Sequence, residues 1–93
     1  MKVRVAIEID GRKIDEVVEG ASPENIVATA KDRLAREMGF KGLVLRAMTP
    51  VAFAQEAVRK YNQAYGKNHP IPATADDFLE FGKETGYLTV LEA

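Results

Sequence analysis

Residues 65–77, YGKNHPIPATADD, hold most of what this chain offers for chemistry. They include its one histidine, His69, and the adjacent carboxylates Asp76 and Asp77, with Glu80 one helical turn beyond. An imidazole or carboxylate beside a loop can serve as a general base. Asp76 and Glu80, four apart, share a helix face and with His69 could hold a divalent ion. Neither reading has a motif behind it. No Ser–His–Asp or Cys–His set can be assembled, and the spacing fits no metal signature. The plainer reading is a joint between two helices. Gly66 ends the first, Pro70 and Pro72 prevent its continuation, and Thr74 caps the second. Asp76 and Asp77 then lie in a first turn, where the helix dipole favours negative charge. No catalytic residue, metal ligand or cofactor is assigned. His69 is expected to be a solvated loop side chain whose truncation costs less than about 0.5 kcal/mol.

The elements that must position any site are bounded by composition. Ninety-three residues, 46% hydrophobic and 29% charged, describe one globular domain over 1–93. The absence of cysteine excludes disulfides, thiolate metal sites and cysteine nucleophiles, and favours a cytoplasmic location. No apolar run approaches the ~18 residues of a membrane span. The opening MKVRVAIEID alternates apolar and polar residues, so it reads as a strand and not as a signal peptide. No membrane association is expected.

Residues 2–9 place Val3, Val5, Ile7 and Ile9 on one face of that strand. Asp10-Gly11 then signals a type I′ turn. A two-residue loop pairs residues whose numbers sum to 21, which sets Ile7 opposite Ile14 and Val3 opposite Val18. It also sets Glu8 opposite Lys13 and Lys2 opposite Glu19. Ser22-Pro23-Glu24 starts a helix whose buried stripe is Val27, Ala30, Leu34 and Met38, and Gly39 ends it in a left-handed cap with Phe40 folded back on Ala35. Residues 42–48, GLVLRAM, read as a short strand. Thr49-Pro50 opens a second helix, Thr74 a third, and residues 87–92 a last strand.

The hairpin and helix of MKVRVAIEIDGRKIDEVVEGASPENIVATAKDRL resemble the start of ubiquitin-like β-grasp proteins, over residues 1–48. The fold expected is α+β: order ββαβααβ, with a mixed four-stranded sheet of order 2-1-4-3 and an added helical pair. The last strand would lie parallel to the first and between it and the third. Two functions that the resemblance implies are not expected here. Ferredoxin-like members need cysteines, and modifiers act through a terminal Gly-Gly where this sequence reads Leu91-Glu92-Ala93.

Binding therefore remains. The leading expectation is a non-enzymatic interaction domain, bound to a protein partner or to itself through the edge strand at Glu16, Val17 and Glu19. The alternative is an electrostatic nucleic-acid binder. Residues 31–67 carry eight basic and three acidic side chains, with Arg33, Arg36, Lys41, Arg46, Arg59, Lys60 and Lys67 as the candidate polyanion contacts. Tyr61 and Tyr65 could stack bases but fall on the second helix's apolar stripe. The third reading is a small metal-dependent or hydrolytic enzyme near His69.

Overall fold

The computed structural model describes residues 1–9 and 12–92. Asp10, Gly11, Ala93 and the side chains of residues 7–9, 12, 14 and 41 lie outside that description. So do the expected Asp10-Gly11 turn, the Glu8–Lys13 charge pair and the facing of Ile7 against Ile14. The backbone register is described. β1 (Lys2–Ile9) and β2 (Arg12–Glu19) run antiparallel with Val3 opposite Val18, Ile7 opposite Ile14 and Lys2 opposite Glu19. A two-residue connection requires this pairing.

Met1 and Gly20 exchange two hydrogen bonds of 3.0 Å. Alternation along an antiparallel ladder then turns the N–H and C=O groups of residues 13, 15, 17 and 19 outward from β2. On the solvent face Arg4 forks onto Asp15 with bonds of 2.8 and 2.6 Å. The hydrogen bonds and opposite charge hold the Asp15 carboxyl below the usual carboxylate range.

Helix α1 (Pro23–Met38) starts where Ser22 Oγ accepts from the Asn25 N–H at 3.2 Å. It buries Ile26, Val27, Leu34 and Ala35. Gly39 follows with φ 62° and ψ −124°, a positive φ but not the left-handed helical cap expected. Phe40 does not fold back on Ala35; it is 92% exposed.

Residues 42–48 form no strand. A single 3₁₀ turn (Gly39–Lys41) leads into a short helix, α2 (Gly42–Ala47). A continuous apolar run of this length fits a strand or a buried helical turn equally well, so periodicity does not decide it. Contact with α1 does. A Cβ at Gly42 would overlap the Ala35 carbonyl oxygen, so glycine lets the two helices meet backbone to backbone. Lys31 Nζ reaches across to donate to the Arg46 carbonyl at 3.2 Å, where the dipole of α2 is negative.

Helix α3 (Pro50–Tyr65) is capped by Thr49 Oγ1, which accepts from the Ala52 N–H at 3.1 Å, and closed by Gly66 at φ 62°. Helix α4 (Ala75–Thr85) and β3 (Leu88–Glu92) complete the chain. Among the described residues the sheet has three strands in the order β2-β1-β3, antiparallel throughout. This corrects the expected four-stranded mixed sheet of order 2-1-4-3. The last strand does lie beside β1, but antiparallel to it and at an edge. The six residues of α2, about 9 Å of helix, do not cross the sheet as a strand would, so alternating directions along the chain does not fix how residue 88 arrives.

The helices cover one face of the sheet. Val3 and Val18 from the strands, Ile26 and Val27 from α1 and Leu79 from α4 form the core with Leu88. Each such side chain, fully buried, contributes roughly 1.5–3 kcal/mol. A Cβ on Gly82 would stand 2.8 Å from Leu88 Cβ, so α4 lies close against β3. No helix among the described residues is long and apolar enough to cross a membrane.

Candidate functional site

The correction at α2 exposes the surface with the clearest chemistry. Phe40, Leu43, Val44 and Ala47 follow one another at spacings of three, four and seven, so they share one side of a continuous helical segment. That side faces solvent: Phe40 is 92%, Leu43 62% and Val44 68% exposed. Leu45 and Met48 turn the other way, onto the core. The outward side chains offer on the order of 300–400 Å² of apolar surface, as large as the main patch on a typical monomer. Arg36 in the last turn of α1 and Arg46 in the last turn of α2 are exposed beside it. The spacing was present in GFKGLVLRA; reading 42–48 as a strand concealed it.

The edge residues are arranged differently from an open template. Glu16 turns to the helical side and pairs with Arg33 at 3.1 Å. The same guanidinium donates to the Val17 carbonyl at 2.9 Å, so one of the outward acceptors of β2 is already occupied from α1. The Val17 side chain lies on the opposite, solvent face with Glu19.

The candidate basic residues fall on α1, α2 and α3 and on the segments that follow α1 and α3. Arg33 is engaged by Glu16, and Arg59 pairs with Glu56 at 3.2 Å. Arg36 is exposed in the last turn of α1 and Arg46 in the last turn of α2, the Lys41 side chain lies outside the described residues, and Lys60 is exposed on α3. Lys67 follows the far end of α3, whose 16 residues separate it from Arg46 by about 24 Å of helix.

Residues 66–73 are pinned as a joint. The Asn62 amide donates to the His69 carbonyl and accepts from the His69 N–H, both at 3.0 Å, and Gln55 donates to the Pro72 carbonyl at 3.0 Å. The His69 ring is not solvated as expected. It is half-buried, edge-on to Tyr61 at 5.4 Å and to Phe81 at 5.3 Å. Thr74 Oγ1 accepts from the Asp77 N–H at 3.2 Å, and Asp77 accepts from the Ala73 N–H at 3.3 Å. Glu80 pairs with Lys83 at 2.6 Å. Among the described residues no three His, Cys, Asp or Glu side chains approach closely enough to hold a metal.

Tyr61 is the hub of an aromatic cluster, with Tyr65, Phe81 and Tyr87 at 4.8, 5.2 and 5.6 Å. Burial, a hydrogen bond with Tyr65 and the nearness of Tyr65 and Tyr61 push the Tyr87 hydroxyl up to about 12. The cluster closes one end of a cleft of about 490 Å³ between the sheet and α1, α3 and α4. Val5, Ala30, Leu34, Ala57 and Phe78 line its apolar walls, and exposed Glu16, Lys60 and Tyr65 stand where it opens. A dry, closed void of that size would cost about 12 kcal/mol at 24 cal/mol per Å³. That equals a domain's whole stability, so the cleft must be wet or filled.

These features define, among the described residues, an α+β domain with an outward apolar helix and an apolar cleft. No protein-family model, curated protein or solved structure matches the chain.

Proposed function

We propose that the chain is a non-enzymatic interaction domain that docks onto another protein through the outward face of 39–47. One observation carries this reading: three large apolar side chains stand exposed at helical spacing on a segment whose other side is anchored in the core. Water around such a stripe is released when a partner covers it. The flanking Arg36 and Arg46 favour a pocket rimmed by carboxylates. A two-fold pair of like chains would carry this basic rim on both sides and so lacks the complementary carboxylates. The apolar area falls below the roughly 800 Å² per partner of a standard complex, which suits a transient contact. A nucleic-acid role has less support, because Arg33 and Arg59 are engaged by carboxylates.

The test compares proteins captured by the wild-type chain and by Leu43→Ser, followed by calorimetry with each purified partner. A true partner should lose tenfold or more in affinity for Leu43→Ser, as central anchors do on truncation, and should weaken as salt rises. Equal affinity for both chains would sink the proposal.

A further inference from the structure

We infer that the cleft between sheet and helices is a binding site for an unbranched apolar molecule with a single carboxylate head. The site is separate from the docking face and does not depend on it. Its volume of about 490 Å³ falls in the range of small-molecule pockets, about 300–1,000 Å³. Its walls come from every layer of the fold: Val5 from β1, Ala30 and Leu34 from α1, Ala57 from α3 and Phe78 from α4. Apolar walls gain by exchanging water for a hydrocarbon chain.

The mouth chooses the head group. Ala57, Lys60, Tyr61, Ala64 and Tyr65 recur at three and four along α3, so Lys60 belongs to the face that lines the cleft. The other charges at the mouth are engaged, Glu16 with Arg33 and Glu56 with Arg59. Lys60 makes no ion pair among the described residues, and is the cation left to meet a ligand's negative charge. A monoanion matches one ammonium, with the tyrosine hydroxyls as further donors. A phosphate dianion would set its second charge against Glu16 and Glu56. The small side chains of Ala30, Ala57 and Ala64 keep the passage open where a leucine or phenylalanine would close it.

The chain supplies its own reporter. It has three tyrosines and no tryptophan, and all three tyrosines line this cleft. Titration of the purified protein with dodecanoate, below its micelle concentration and at low salt, should therefore change tyrosine emission saturably at one equivalent. Lys60→Ala, an exposed change that leaves the fold intact, should weaken dodecanoate about fivefold, the upper range of an exposed charge pair. It should leave dodecan-1-ol unchanged. Dodecyl phosphate should bind more weakly than dodecanoate. Ala57→Phe should abolish binding with an unaltered circular dichroism spectrum; if that variant does not fold, Ala64→Phe at the exposed mouth takes its place. The inference is overturned if no saturable change occurs, if Lys60→Ala binds dodecanoate as tightly as wild type, if the phosphate binds more tightly, or if a folded cleft-filling variant still binds.

Discussion

Lys31 holds a charge at 6% exposure, where an unpaired ammonium would be very costly. Its Nζ is satisfied by the Arg46 carbonyl at 3.2 Å and by Asp32 at 3.3 Å, and its stem fills the gap between α1 and α2. Lys31→Ala removes that donor from α2 along with the packing. Denaturant unfolding should show a loss of about 2–3 kcal/mol. Tyr87 gives a second prediction at this scale. Its hydroxyl titrates near 12 in the folded chain against about 10 when unfolded. The folded state therefore keeps a proton that the unfolded state releases. The stability this provides is complete below pH 10 and is lost as pH rises from 10 through 12. Spectrophotometric titration should show one tyrosine ionising late, and Tyr65→Phe, which removes a hydrogen bond that raises it, should bring that step down.

The elements show which parts of the fold are written locally. The hairpin register follows from alternation and loop length, which act between neighbours in the chain. Helix starts follow from Ser22, Thr49 and Thr74, whose hydroxyls make the capping bonds expected of them. Residues 42–47 differ because their state is decided by a surface elsewhere, the backbone of α1 at Ala35. Gly42→Ala tests that dependence. Its Cβ meets a carbonyl oxygen and not a flexible side chain, so relief requires the two helices to move apart. The expected cost is about 1–3 kcal/mol, the range for overpacking, measured by thermal unfolding. Amide exchange should rise first in 42–47. A variant as stable as wild type would mean that α2 does not depend on close approach.

At the scale of the whole molecule, one misread element redirected the rest. A strand at 42–48 would place the last strand at the centre of a four-stranded sheet; with a short helix there, β3 pairs, among the described residues, with β1 alone, antiparallel and at an edge. The exposed apolar face of 39–47 was not legible for the same reason, since an apolar run read as strand hides its helical spacing. The Arg33 bond to Val17 could not be read from sequence either, because it joins residues 16 apart through a packing angle that no local rule sets. The molecule that results carries two apolar features on different surfaces, and the outward helix, not the β2 edge, is the proposed docking surface. A photo-crosslinking phenylalanine analogue at position 40 in one preparation, and at position 17 in another, separates them most directly. A captured partner should crosslink from position 40 and not from position 17. Crosslinking from position 17 alone would contradict this and return the interface to the edge strand.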